Sequence, residues 1–368
     1  MTFLLSLAAF ATTIDWRPDL PAPGPRGACV VAGTGVLMPG RADDKGARLV
    51  CFVSAYEGKT WTPSGTIATD PDRRTDLGDG NIVAGQNGKL FAVYRHNHHG
   101  PGFEKPDYAI EVSTSTDGGK TWTKDSEVAS SRPEGPGPSR GLWSPYLFLT
   151  RTGDLQCYFD DEETPARNKF PGHQWLTMKT YSRSRHAWTN PVCVARSHDP
   201  VLLSRDGMAS VVETEPGHLL CAFESVQTSP PHAGLIRMVT SLDGGQSWSW
   251  TPEERKVLYE PRDVRFHAFA PSILALPHGQ LIALFATNED RPEPGRSGTP
   301  ASDLSLDIKY VSSPDNGRTW EPTAHLLYGG SHRNYLPGIV QLPGRGIRLL
   351  STMLDFDRGC LSKIGEGR

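Results

Sequence analysis

Long apolar runs are missing from this chain of 368 residues. No stretch of 18 apolar residues occurs, so no membrane-spanning helix is encoded. A basic excess is missing too: formal net charge is −3, which leaves no cationic surplus for phosphates and argues against nucleic acid as a partner. Apolar residues at helical spacing are nearly absent, which disfavours helical folds. The six cysteines, at positions 29, 51, 157, 193, 221 and 360, form no CxxC pair and no metal-ligand spacing. Standing singly in apolar runs, they read as buried thiols. No Asn-x-Ser/Thr acceptor is present.

Glycine and proline are plentiful, at 38 and 31 residues, a density that suits many tight turns. One phrase repeats. Ser115-Thr-Asp117-Gly-Gly119-Lys-Thr121-Trp122 returns as Ser241-Leu-Asp243-Gly-Gly245-Gln-Ser247-Trp248 and as Ser313-Pro-Asp315-Asn-Gly317-Arg-Thr319-Trp320. Degenerate copies end at Trp61 and Trp188. The five tryptophans are 61, 66, 60 and 72 residues apart. Each phrase reads as a hairpin turn: Asp folds back onto backbone N–H groups, Gly takes positive φ, and Trp packs beneath. Between phrases lie strand-like runs joined by short Gly turns, such as Gln86-Asn87-Gly88 and Pro277-His278-Gly279. About four antiparallel strands repeated six times predict an all-β, six-bladed β-propeller spanning residues 14–368 as one domain. The last unit shows two strands, Tyr335–Leu342 and Gly346–Met353, and then little more. Residues 1–13 have two readings. Phe3 to Thr13 resembles the apolar core and small-residue end of a secretory leader, which implies a secreted protein. Alternatively the run is a strand that closes the ring, and the protein is cytoplasmic.

The repeat resembles the Asp-box, or BNR repeat, of the sialidase superfamily. Further phrases resemble one branch, glycoside hydrolase family 93: Val93-Tyr-Arg95-His-Asn97-His98, Gly141-Leu-Trp143-Ser144-Pro145-Tyr146, Arg205-Asp206-Gly207-Met208 and Ala222-Phe-Glu224. The resemblance implies a sialidase-like propeller acting as an exo-arabinanase, a glycosidase that trims terminal sugars from a carbohydrate polymer or glycoconjugate.

Strand order locates the chemistry. If the first strand of each blade starts at the upper rim, the second ends there, while the third and the Asp-box turn after it fall at the lower rim. Asp117, Asp243 and Asp315 are therefore expected to be turn residues. Five of the six second strands end in polar or acidic clusters, and loops gathered on a rigid scaffold suit a carbohydrate pocket. Glycoside hydrolysis normally uses two carboxyl groups flanking the bond. Glu224 follows the apolar run Leu219–Phe223 and is the first candidate. The family's second carboxylate lies in Trp-Glu-Pro-Phe, where this chain has Trp143-Ser144-Pro145-Tyr146, so Ser144 replaces it. Glu162 and Asp161 are the expected substitutes. Sugar contacts are expected from Arg95, Asn97, His98, Trp143, Ser144, Asp206, His267 and Asn334. His98 and His99 lack zinc-ligand spacing, so no metal and no other cofactor is expected. A monomer is expected.

Three alternatives stand. An exo-sialidase needs three arginines around the substrate carboxylate. Arg26 and Arg333 could supply two, but Glu224 stands where the middle one belongs. A propeller that binds glycans with reduced catalysis follows from Ser144. A polysaccharide lyase using His or Tyr is the third.

Overall fold

The computed structural model describes residues 13–42, 47–132, 140–196, 198–201, 203–227, 234–251, 254–294 and 303–367. Six antiparallel sheets form a six-bladed β-propeller. Blade 1 runs through Cys29–Val31, Gly35–Ala42, Ala47–Ser54 and Thr62–Asp70. The inner strand of blade 2 is broken into Asp76–Gly78 and Ile82–Ala84; Leu90–His98, Asp107–Ser115 and Thr123–Ser131 follow. Blade 3 starts with Leu142–Leu149 and Leu155–Asp161, and blade 4 with Ser204–Glu215 and His218–Gln227. Blade 5 starts with Ala268–Ala275 and Leu281–Thr287, and blade 6 with Asn334–Gln341 and Arg348–Asp355. Among the described residues one α-helix, Glu163–Arg167, interrupts the strands.

Blade 6 departs from the sequence expectation. Its third strand is Gly359–Gly367, whose residues 359–366 pair with Arg348–Asp355. Glycines at 359, 365 and 367 dilute its apolar pattern, so it reads weakly as a strand. The outer position is filled from the N-terminal side: Ile14–Trp16 and Leu20–Pro21 both pair antiparallel with Gly359–Gly367 and close the ring. The leader-like run 1–12 lies outside the described residues. Among the described residues no helix is long and apolar enough to cross a membrane.

Buried side chains collect in six clusters, each at a seam between neighbouring blades. Side chains on a strand alternate between faces, so a strand with a blade on either side buries both sets. Leu281–Thr287 is buried at every position. In blade 2, Leu90, Ala92 and Tyr94 pack toward blade 1, while Phe91 and Val93 pack toward blade 3. The six cysteines are all free, and Cys51, Cys157 and Cys221 are fully buried among these side chains.

The repeated phrase is a turn held by its own side chains. In the blade 4 copy, Asp243 Oδ1 accepts from the Ser247 backbone N–H at 2.9 Å and from the Ser241 hydroxyl at 2.8 Å. The Gly245 N–H donates to Ser241 Oγ at 2.8 Å. Asp117 and Asp315 make the same contacts with Thr121 and Thr319. None of the three aspartates lines the central cavity. Asp243→Ala is expected to lower unfolding stability by about 1 kcal/mol, the worth of a lost turn hydrogen bond. Chemical denaturation checks the loss; a variant of unchanged stability that no longer binds sugar would contradict the assignment.

Candidate functional site

The upper rim opens into a central cavity of about 740 Å³. Two sets of residues build it. The first comes from the inner strands. Asp79, Ser144, Met208 and Leu336 each stand at the start of an inner strand with φ between 46° and 54°, and all four line the cavity. Ala270 holds the same place in blade 5, with φ 50°. A positive φ is sparsely populated for residues with a Cβ. In blades 3 to 6 the pairing with the second strand shifts register at this point. Such a bulge re-aims side chains and backbone N–H groups.

The second set comes from the ends of the second strands. Arg41, Arg95, Asp160 and Glu224 supply the cavity from blades 1 to 4 in turn. Their register is shared: Arg95 pairs with Gly78, Asp160 with Trp143 and Glu224 with Gly207, each just before the positive-φ residue. A Cβ at Gly207 would come within 2.5 Å of Asp160 Oδ2, so a larger residue there would displace that carboxyl.

The carboxyl groups are held in contrasting states. Burial pushes the Asp160 carboxyl well above the usual carboxylate range, and the Glu224 charge pushes it the same way. Its Oδ1 accepts from the Met208 N–H at 2.9 Å, which only partly opposes the rise. Glu224 is also raised by burial, but the Ala270 N–H, donating to its Oε2 at 2.8 Å, and the Arg26 and Arg205 charges counter this. Asp79 differs. Burial pushes it up, yet Arg95 and Arg26 outweigh that and hold it below the ordinary value. Ser144 lies within hydrogen-bonding reach of both Asp79 and Asp160. Tyr335 completes the wall; burial, and then the Glu224 charge, push its hydroxyl far above the usual range.

Each guanidinium in the cavity has an acidic partner. Arg95 pairs with Asp79 and, at 2.9 Å, with Asp76. Arg26 lies 3.4 Å from Asp79, and Arg41 lies 3.9 Å from Asp76. Arg205 donates to Glu162 Oε1 at 2.6 Å.

Of the residues expected at the site, Glu224, Arg95, Trp143 and Ser144 line the cavity. Glu162 stands behind its wall, accepting from Trp143 Nε1 at 3.2 Å and from the Gly141 N–H at 3.1 Å as well as from Arg205. It positions an aromatic ring and a cation. The others are turned elsewhere. Asp161 caps the short helix, accepting from the Glu163 and Thr164 N–H groups at 2.9 Å, because strand alternation points it away from Asp160. Asn97 is fully buried and stitches blade 2 to blade 3, donating to the Leu142 carbonyl at 3.0 Å. Asp206 is fully buried against the Arg255 guanidinium at 2.7 and 2.8 Å. Asn334 donates to the carbonyls of Leu306 and Gly329. The His267 ring stacks on Phe269 in the interior. His98 faces Asp70 and Asp107 at the edge of blade 1.

Asp160 and Asp79 are acidic residues of the cavity that were not selected in the sequence, where Asp161 and Glu162 were preferred to Asp160. The signal was available in the repeat: Asp160 directly follows the buried aromatic Phe159, as Glu224 follows Phe223 and Arg95 follows Tyr94.

No family model and no curated protein matches the chain by sequence. Solved structures do match in fold. A protein of unknown function from Dyadobacter fermentans aligns with a TM-score of 0.67 and 15% identity, covering 96% of this chain and 99% of that one. The Penicillium chrysogenum α-L-arabinanase complexed with arabinobiose aligns at 0.60 and 15% identity, over 97% and 98% of the two chains. A Hadza microbial sialidase aligns at 0.62 and 18% identity, over 92% of this chain and 65% of that one. The chain thus has the six-bladed propeller fold found in arabinanases and sialidases.

Proposed function

We propose that the cavity is the active site of an exo-acting glycoside hydrolase that removes a terminal sugar from a carbohydrate polymer or glycoconjugate. The observation that carries the reading is the pair formed by the buried Asp160 and the cavity-facing Glu224. Burial, and then the Glu224 charge, raise the proton affinity of the Asp160 carboxyl, so the pair holds one proton where isolated carboxyls would hold none. One acid beside one carboxylate is what glycosidic cleavage uses. Asp160 faces negative charge from Glu224 and Asp79 and keeps the proton, so it is the general acid. Glu224 has Arg26, Arg205 and a backbone N–H on its side and is the carboxylate partner. Asp160 thereby replaces the acid absent at Ser144, a role for which Glu162 and Asp161 are wrongly aimed. Trp143 offers an aromatic face for a sugar ring.

A neutral sugar suits the site better than an anionic one. A substrate carboxylate needs guanidiniums free to clamp it, and those of Arg26, Arg41, Arg95 and Arg205 already face acidic groups. The arabinan-cleaving reading therefore ranks above sialidase. Tyr335 beside Glu224, together with Arg26, is the arrangement that favours the second reading.

Release of reducing sugar from arabinan oligosaccharides, with sialyl conjugates run in parallel, separates the two. On the cleaved substrate, Glu224→Gln should abolish turnover while keeping sugar binding. Asp160→Asn should lower kcat at least ~100-fold, the scale of a lost general acid. Full activity of either variant would remove the pair from the mechanism. Binding without turnover by the wild-type chain would instead mark a glycan-binding propeller, and unsaturated products a lyase.

The pair also makes stability depend on pH. In the folded chain Asp160 keeps its proton to higher pH than it does unfolded, where its pKa is about 3.9. Folding then takes up a proton between those two values, and stability falls as pH rises through that window. Asp160→Asn removes the effect. Calorimetry should find the variant melting above wild type at about pH 7 and level with it near pH 3. A lower melting temperature at the higher pH would mean that ionised Asp160 stabilises the fold.

A further inference from the structure

Among the described residues one group of His, Cys, Asp or Glu side chains has ligand atoms close enough to hold a metal ion: Asp70, His96 and His98, all within 4.8 Å of one another. It lies apart from the cavity lining, at the seam of blades 1 and 2. Asp70 ends the outer strand of blade 1. His96 and His98 stand two apart on the second strand of blade 2, on the face that also carries Ala92 and Tyr94 toward blade 1. The chain between Asp70 and Asp79 carries two acids of the cavity, so whatever fixes Asp70 fixes the root of that segment.

The geometry around the two rings is specific. His96 Nε2 lies 2.8 Å and His98 Nε2 3.1 Å from the same oxygen, Asp70 Oδ2. On their far sides, His96 Nδ1 meets Glu111 Oε2 at 3.2 Å and His98 Nδ1 meets Asp107 Oδ1 at 3.0 Å. A neutral imidazole donates from one nitrogen only. With each Nδ1–H given to its outer carboxylate, two Nε2 lone pairs and a carboxylate oxygen point at one another. A cation must lie among them. Carboxylates behind the rings are also how metal-bound histidines are commonly oriented and made more basic.

Charge and size agree. With neutral rings, Asp70, Glu111 and Asp107 bring three negative charges. Lys124 pairs with Glu111, and the Arg132 charge also feels Glu111 and Asp107, so the cluster keeps a net negative charge that a cation would offset. Ligands about 2.0–2.1 Å from a tetrahedral zinc ion lie about 3.3 Å from one another. Each His–Asp70 contact needs to open by only a few tenths of an ångström to reach that spacing. Two imidazoles and one carboxylate are a donor set that suits zinc and neighbouring first-row dications, with water free to take the fourth place. All three side chains keep some solvent exposure, so an ion can enter.

We propose that Asp70, His96 and His98 form a divalent-cation site of the zinc class that clamps blade 1 to blade 2, with Glu111 and Asp107 orienting the two rings. The site was missed in the sequence because its carboxylate comes from another blade, 26 residues before His96.

Full-length protein stripped with a chelator and titrated calorimetrically with zinc chloride should bind one equivalent per chain and melt at a higher temperature when loaded. Cobalt(II) in place of zinc should give the visible d–d bands of a tetrahedral site, a readout that needs no variant. His96→Ala, His98→Ala and Asp70→Asn should each lose the stoichiometric binding and the cobalt bands. His218→Ala, which removes a surface histidine paired with Glu215, should keep both. Two protons at the Nε2 positions are the competing occupants. Wild-type protein that takes up neither zinc nor cobalt would establish them and overturn the proposal. So would stoichiometric binding that survives in the His96→Ala/His98→Ala double variant.

Discussion

The second strand of each blade is packed on both faces, and that two-sided burial sets what its upper end can present. Along Leu90–His98 one set of side chains enters the seam with blade 1 and the other the seam with blade 3. Where the apolar run ends, the alternation continues with polar groups. Arg95 reaches the cavity, Asn97 stitches two blades, and His96 and His98 meet Asp70 on the opposite face. The same period separates Asp160 in the cavity from Asp161 at a helix cap. Shifting any of these strands by one residue would exchange the two sets and bury the wrong groups.

Inner strands answer with backbone geometry. Five non-glycine residues at equivalent places adopt positive φ, a conformation that costs energy and persists only where surrounding structure enforces it. Two of the resulting N–H groups, those of Met208 and Ala270, donate to Asp160 and Glu224. Strain in blades 4 and 5 thus supplies hydrogen bonds to acids from blades 3 and 4. The cavity is built across seams, and the carboxyls of Asp160 and Glu224 come from different blades.

Electrostatics then separates residues of one chemical type. Asp79, Asp160 and Glu224 share a wall but differ in neighbours. Two guanidiniums keep Asp79 ionised, whereas Asp160 is desolvated among like charges. Holding a carboxyl in its neutral form is unfavourable for folding at neutral pH and favourable for proton donation, so the scaffold's six apolar seams must offset what the cavity costs. Glu162 contributes one step removed, by fixing Trp143 and Arg205.

The sequence by itself determined the number of blades, the turns between strands and the rim at which the polar ends of the second strands gather. These rest on local interactions: an aspartate bonding to N–H groups four residues on, a glycine at positive φ, and apolar residues at period two. Glu224 and Arg95 were legible for the same reason, since each directly follows an apolar run that anchors it. Asp160 follows the buried Phe159 in the same way, but the adjacent acids Asp161 and Glu162 obscured it, and its pairing with Trp143 settled which of the three enters the cavity. The tertiary structure alone showed that Asn97, Asp206 and Asn334 are structural, because their partners lie far along the chain. Ring closure by Ile14–Trp16 and the meeting of Asp70 with His96 and His98 belong to the same class. Contacts between blades depend on how whole sheets pack, and no local spacing encodes them.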